Sequence, residues 1–492
     1  MSLALRILAA VMTSHKRDTA PADKARERSV LARGWEKVRA AWHGLAGGGD
    51  DDGESKRDAG LSARQLSQLR RTLAECVEEV GGEVSARQRV ARIGDLYLGL
   101  GDAGKRDFLK LLAGEFGPSP KAIAAAISDY LGAGDDAGRR QRESALRQAL
   151  RSPRIKVFIQ FNALPDGVRF LVQLRADVLR LLRELPELAP LDEELFALLS
   201  SWFDVGFLSL QRITWSSPAA LLEKLIAYEA VHEIRSWNDL RNRRDSDRRL
   251  YAFFHPRMPD EPLIFVEVAL VKRLADNVQR LLDESSPTID PAQADTAIFY
   301  SISNTQAGLR GVSFGNFLIK RVVDDLRKDF PRLRTFATLS PIPLFRRWLD
   351  AQLAGHAEQA VVPAGGSGEL ALDLRAILKT DKWLEDEGLR ARLEAPLRHL
   401  CANYLIHARE GDKPFDPVAR FHLGNGARIE RLNWLADTSP KGLKQSLGLM
   451  VNYLYDLDDI EANHEAFARG GAVTASSGVR RLLRRPKPST AA

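Results

Sequence analysis

Cysteine is almost missing from this chain: Cys76 and Cys401 are the only two in 492 residues. Two thiols cannot build a disulfide framework or a four-thiolate zinc site, and so low a count fits a reducing compartment. Also missing is any uninterrupted apolar run of about 18 residues, the length a bilayer demands of a helix, so no membrane span is expected and the chain reads as soluble. Acids are absent from the last stretch, where Arg469, Arg480, Arg481, Arg484, Arg485 and Lys487 stand alone. Taking those six from the net charge of +7 leaves +1, too little positive field to hold a phosphate backbone, so nucleic-acid binding is not expected. The nine histidines show no H-E-x-x-H or paired spacing, which leaves no case for a metal.

What is present is ordinary for globular protein, 45% hydrophobic and 28% charged, enough to bury a large core in two or three domains. Met1 to Met12 form a short apolar stretch broken by Arg6, and Asp18, Asp23 and Glu27 follow early, so the start reads as an amphipathic helix rather than a targeting segment. The glycine- and aspartate-rich Ala46 to Gly60 reads as a linker, making 1–60 an appendage. In 61–188, segments such as ARQLSQLRRTLAECVEEV, KAIAAAISDYL and RFLVQLRADVLRLLREL carry apolar residues at spacings of three and four, which predicts antiparallel helices. In 189–465 the texture becomes mixed α/β: after further helices to Ile234, YAFFH, LIFVEVALV and AIFYSIS read as strands, FLIKRVVDDL as a helix and Phe421 to Leu432 as another strand. The basic stretch 466–492 is expected to be a disordered tail.

Three places suit chemistry. The first is a strand, turn and helix in which Gly308, Leu309, Arg310, Gly311, Val312, Ser313, Phe314, Gly315 and Asn316 precede FLIKRVV. Glycines let a backbone approach an anion, and the free N–H groups and dipole of the helix start favour a phosphate there, with Lys320 and Arg321 nearby to add charge. Neither the dinucleotide pattern G-x-G-x-x-G nor the Walker pattern is present, and an ordinary packing turn explains the glycines equally. The second is Thr338-Leu339-Ser340-Pro341-Ile342-Pro343, where prolines stiffen the backbone that presents the Ser340 hydroxyl, unless Ser340 merely caps the next helix. The third is Phe421 to Ala427, where His422 runs into Gly-Asn-Gly and has a pKa suited to proton transfer, although a lone histidine is more often structural. Leu449 to Tyr455 closes the folded part, read as helix-end core with Tyr455 as a hydrogen-bond donor.

In order and spacing, SISNTQAGLRGVSFGNFLIKRVV, LSPIPLFRRWL and FHLGNGARIERLNWLADTSPKGLKQSLGLMVNYLY resemble the malonyl-CoA decarboxylase family, as does HPRMPDEPLIFVEVAL upstream. The likeness covers most of 60–460. It implies an α+β multidomain chain: a helical bundle over 61–188 used in oligomerisation, then a catalytic domain over 189–465 with the fold of the acetyl-CoA-dependent N-acetyltransferases. It implies Ser340 and His422 as the catalytic pair, and Arg310 to Asn316 as the CoA-binding turn. Ser313 departs from the family, where that position is usually acidic. The resemblance further implies malonyl-CoA as substrate, a dimer or tetramer of like chains, and a place in fatty-acid metabolism; a cytoplasmic location is expected, with the mitochondrial matrix as the weaker alternative.

The reaction needs no cofactor, because loss of carbon dioxide leaves an electron pair that the thioester carbonyl accepts as an enolate. His422, when protonated, is assigned to protonate the α-carbon, Ser340 to bind the malonyl carboxylate or relay the proton, and Asn425 and Tyr455 to orientation. Two other readings stand beside this one. A CoA-dependent N-acyltransferase would need an acceptor groove and a base that the sequence does not identify; a non-catalytic helical scaffold sits badly with a retained Ser340 and His422.

Overall fold

Apolar residues at spacings of three and four form helices because that spacing gathers them on one face, where burial against a neighbour stabilises the turn. The computed structural model describes residues 60–312, 318–355, 361–362 and 372–484. Helices α1 (Ala63–Val77), α2 (Glu83–Leu98), α3 (Asp102–Glu115), α4 (Pro120–Leu131), α5 (Asp136–Ala149), α6 (Arg154–Asn162), α7 (Gly167–Leu181) and α8 (Ala189–Trp202) follow one another. The chain divides into two compact units, Met1–Arg70 with Asp95–Phe108, and Arg71–Gly94 with Leu109–Ala492, as far as their residues are described. In the first, Tyr97 and Phe108 pack edge to face at 4.8 Å and the Asp107 carboxylate accepts the Leu61 N–H at 2.8 Å. The second holds the remaining helices and the sheet. There Arg154, 1% exposed, donates to the Glu194 carboxylate and to the carbonyls of Leu112 and Ala113, tying α6 to α8 and to the end of α3.

The β-branched and aromatic runs fall where expected: β2 (Arg248–His255), β3 (Met258–Val271) and β4 (Thr296–Asn304) are nearly continuous buried strands. An edge strand, β1 (Ser209–Ile213), lies within a stretch read from sequence as helical; its exposed, polar residues give little strand signal alone, and pairing with β2 makes it one. After β4 come helix α9 (Leu318–Asp329), β5 (Thr335–Thr338), the two-residue β6 (Ser340–Pro341) and α10 (Phe345–Gly355). Then follow α11 (Glu387–His407), α12 (Pro417–Gly424), β7 (Arg428–Asn433), β8 (Met450–Leu454), α13 (Ile460–Gly470) and α14 (Ser477–Leu482). The sheet runs β1-β2-β3-β4-β5-β8-β7, with β6 also paired to β8. Among the described strands β4 and β5 are parallel, joined through α9, and the other pairs of this sheet are antiparallel.

Three local expectations are corrected. Residues 421–424 are helical rather than strand, because Asp416 caps α12 by accepting the N–H groups of Val418 and Ala419, and Pro417 opens it; the strand starts only at Arg428. Leu449 to Tyr455 is not a helix end, since Met450–Leu454 is a central strand. Residues 466–484 are ordered, not a disordered tail: the segment 474–476 bonds to Ile429, meeting the unpaired backbone groups of edge strand β7, and Ser476 caps α14, which buries Val479. Residues 485–492 lie outside the described residues.

Candidate active site

The parallel pair β4/β5 holds together for four residues, Thr296 with Thr335 through Phe299 with Thr338. Leu339 donates one more backbone bond, to the Phe299 carbonyl at 3.0 Å. Beyond it the strands part, because the next residues are Ser340 and Pro341, and proline has no N–H to give. Ser340 pairs instead with Val451 of β8. β4 is irregular at the same level, with Tyr300 as an extra residue between the pairs Val268 with Phe299 and Glu267 with Ser301.

Strand alternation puts Thr338 and Ser340 on one face and Leu339 on the other, where it packs with Ala337, Ile298 and Met450. On the first face α12 brings in His422. The Ser340 hydroxyl donates to Thr338 Oγ1 at 2.8 Å and lies 3.1 Å from His422 Nε2. His422 Nδ1 is 2.7 Å from the Tyr455 hydroxyl. The Tyr453 ring stacks on the imidazole at 4.6 Å, and the Tyr453 backbone N–H donates to Thr338 Oγ1 at 3.2 Å. Tyr455 is fixed at the end of β8 by its N–H, which donates to the Phe336 carbonyl at 2.8 Å.

Ser340 and His422 are buried, 6% and 3% exposed, and Tyr455 is as deep. Burial pushes the His422 imidazole down to about 3, and it raises the Tyr455 phenol well above its ordinary value. The ring is therefore neutral at physiological pH in the free protein, which corrects the expectation of a protonated His422 waiting as donor. Its helix is anchored at both ends. Asp416 also accepts the Tyr404 hydroxyl at 3.1 Å, and at the other end Gly426, at φ +81°, passes so close to Ile460 that a Cβ would meet its carbonyl oxygen at 2.2 Å.

Of the residues singled out from sequence, the structure brings Ser340, His422 and Tyr455 together. Asn425 is placed otherwise: it ends α12, its side-chain amide donating to the Phe421 carbonyl at 2.6 Å. Ser340 is not a helix cap, since α10 begins at Phe345. Sequence reasoning missed Thr338 and Tyr453; the i, i+2 spacing of Thr338 and Ser340 was the available signal for the first.

The glycine turn is described only in part, because Ser313, Phe314, Gly315 and Asn316 lie outside the described residues. Arg310 and Gly311 are exposed, Gly311 at φ +83°, and Val312 is buried. The turn is held from below by α7. Arg175 Nη1 donates to the carbonyls of Gly308 and Arg310 at 2.7 and 2.9 Å while its Nε is held by Asp192 at 2.8 Å. Gly308 presses so closely on the Val172 carbonyl that a Cβ would lie 1.8 Å from the oxygen. The added charge expected from Arg321 is engaged elsewhere, donating to the Leu208 carbonyl at 2.7 Å, and Lys320 pairs with Glu461 at 3.6 Å.

A helical region leading into a mixed sheet, with a serine, a histidine and a tyrosine hydrogen-bonded in the interior where the parallel strands part, defines an α+β protein of enzyme type. Two family models cover it: the malonyl-CoA decarboxylase N-terminal domain over residues 116–203 and the malonyl-CoA decarboxylase C-terminal domain over residues 206–492. The chain belongs to the malonyl-CoA decarboxylase family. It is 39% identical over 411 residues to mitochondrial malonyl-CoA decarboxylase of Mus musculus, covering 79% of this chain and 83% of that protein. It is also similar to the crystal structure of malonyl-CoA decarboxylase from Rhodopseudomonas palustris, at 42% identity and a TM-score of 0.77 over 86% of this chain and all (100%) of that one. The corresponding figures for the Agrobacterium vitis enzyme are 43%, 0.76, 85% and 100%.

Proposed function

We propose that this chain converts malonyl-CoA to acetyl-CoA and carbon dioxide, with His422 as the proton donor and Ser340 as its partner. The observation that carries the reading is the 3.1 Å contact of Ser340 Oγ with His422 Nε2, buried where β4 and β5 separate, in a chain of this family. The bond between the malonyl α-carbon and its carboxylate breaks, carbon dioxide leaves, and the electron pair passes to the thioester carbonyl. The α-carbon of the resulting enolate then takes a proton. The thioester is the electron sink, so the step needs no added cofactor, and donors held ready at the developing oxyanion lower its barrier most.

Ser340 orients the imidazole through its contact with Nε2, and His422 delivers the proton from that nitrogen. A thioester enolate is a stronger base than an imidazole anion, so neutral His422 suffices as donor. The Tyr455 hydroxyl, against Nδ1, offers the ring a proton as Nε2 gives one up, and one proton from solvent restores the chain after product leaves. The CoA pyrophosphate is assigned to the turn Arg310 to Asn316 and the start of α9, with Arg175 supporting the turn.

Residues 61–188 as an oligomerisation region and 189–465 as the catalytic domain belong to the same proposal. Supporting a homo-oligomer, dimer or tetramer, α5 buries none of its side chains, and Leu131 and Leu150 beside it are exposed. No helix among the described residues is long and apolar enough to cross a membrane. A cytoplasmic setting is proposed on the two free, buried cysteines, and the mitochondrial matrix is the alternative, the mouse relative being named mitochondrial. The test is release of labelled carbon dioxide from carboxyl-labelled malonyl-CoA, without added metal or cofactor, by wild type, Ser340→Ala and His422→Asn. Release that both substitutions cut by about a hundredfold or more in folded protein supports the proposal; none from folded wild type refutes it.

A further inference from the structure

Thr338 contributes a hydroxyl to the buried chain that the proposed reaction does not use. It ends β5, is fully buried, and its Oγ1 takes two hydrogen bonds, from Ser340 Oγ at 2.8 Å and from the Tyr453 N–H at 3.2 Å. Ser340 has one hydrogen. Given to Thr338, that hydrogen is not available to His422, so the bond between Ser340 Oγ and His422 Nε2 must be made with the hydrogen on nitrogen. A neutral imidazole protonated at Nε2 has a bare Nδ1, and the Tyr455 hydroxyl lies 2.7 Å from it. The direction of each bond then agrees with the next: Tyr455 donates to His422, His422 to Ser340, Ser340 to Thr338.

We propose that Thr338 is a positioning residue that sets the tautomer of His422 through Ser340, holding the imidazole as a donor at Nε2 rather than as a base toward the serine. With the opposite tautomer His422 would draw the proton from Ser340, the arrangement that activates a serine nucleophile. Thr338 thus selects proton delivery over acyl-enzyme formation at a Ser–His pair. Without the Thr338 oxygen, the Ser340 hydrogen turns to Nε2, the ring hydrogen moves to Nδ1, and the Tyr455 hydroxyl loses its acceptor. The functional part of this inference rests on the decarboxylase reading; the tautomer part does not.

The experiment combines the ring-nitrogen NMR spectrum of ¹⁵N-histidine-labelled protein with steady-state decarboxylation, His422 being assigned by comparison with His422→Asn. Wild type should show the Nε2–H tautomer. Thr338→Val, close to isosteric, should shift the population to Nδ1–H and lower kcat by about tenfold or more, with KM within about twofold of wild type. Thr338→Ser, which keeps the oxygen, should restore both. Tyr455→Phe should retain Nε2–H, because Ser340 still gives its hydrogen to Thr338. An Nδ1–H tautomer in wild type overturns the proposal, as does Thr338→Val with unchanged tautomer and kcat, or a flip caused by Tyr455→Phe with Thr338 intact. Should Thr338→Val fail to fold, the wild-type, Thr338→Ser and Tyr455→Phe spectra still decide. A tautomer that responds as stated in a protein releasing no carbon dioxide supports the assignment of Thr338 while refuting the decarboxylase.

Discussion

A neutral donor and a cationic one differ in how the reaction responds to pH, and the burial of His422 makes the difference large. The pH dependence of kcat/KM reports the ionisation of the free enzyme. With its imidazole pushed down to about 3, the free protein holds a vanishing cationic fraction at neutrality. A mechanism that required the cation would lose about one decade of kcat/KM for each pH unit above that value. Between pH 6.5 and 8.5 that amounts to about a hundredfold fall, whereas donation from neutral Nε2–H keeps kcat/KM within about threefold over the same range. The assay is release of labelled carbon dioxide at substrate concentrations well below KM, at each pH, with His422→Asn measured in parallel. The variant should retain between about 1% and 0.01% of wild-type kcat, the usual loss for a general acid. A wild-type profile falling with unit slope would refute the neutral donor. An inflection near the ordinary histidine value that vanishes in His422→Asn would show that the ring is not desolvated in the way its burial demands.

Three further outcomes are expected. His422 also makes stability depend on pH: its folded value lies below the ordinary 6.5, so below pH 6.5 the unfolded chain takes a proton that the folded one refuses, and stability is lost as pH falls toward 3. From pH 6.5 to 4.5 wild type should lose about 2–3 kcal/mol more than His422→Asn, read from denaturant titrations at each pH, and equal slopes would count against the shift. Gly426→Ala forces a left-handed backbone on an L-residue and drives a Cβ toward the Ile460 carbonyl; a loss of at least about 1–2 kcal/mol should appear as a lowered melting temperature, and unchanged melting would contradict that close approach. Gly308→Ala must push the turn off the Val172 carbonyl, so KM for malonyl-CoA should rise several-fold more than kcat falls, and an unchanged KM in folded protein would remove the turn from CoA binding.

Much of the site was legible because its signals are local. The stiff Ser-Pro-Ile-Pro run singled out Ser340, and the continuous apolar strands around it announced a buried sheet whose neighbours would be close. The element carrying His422 was misread although its signal was present: Asp416 followed by Pro417 is a helix start, and the apolar residues after it suit a short helix as well as a strand. Asn425 drew attention as a polar group beside a histidine, and only the helix end shows that its amide serves the Phe421 carbonyl.

By itself the sequence determined most of the N-terminal helices and the strands β2, β3 and β4, the lack of a thiol framework, and the residue types available for proton transfer, since each of these follows from composition or from spacing over a few neighbours. It could not determine that a hydroxyl at 338, another at 340, an imidazole at 422 and a phenol at 455 form one hydrogen-bonded chain. That depends on β6 and β5 meeting β8 in one register and on α12 crossing the same face, contacts made across 82 and 33 residues of sequence. The protonation state of His422 was likewise decided only in the folded molecule. An imidazole near its ordinary value in the unfolded chain becomes a neutral one because packing removes the water that would have stabilised its charge.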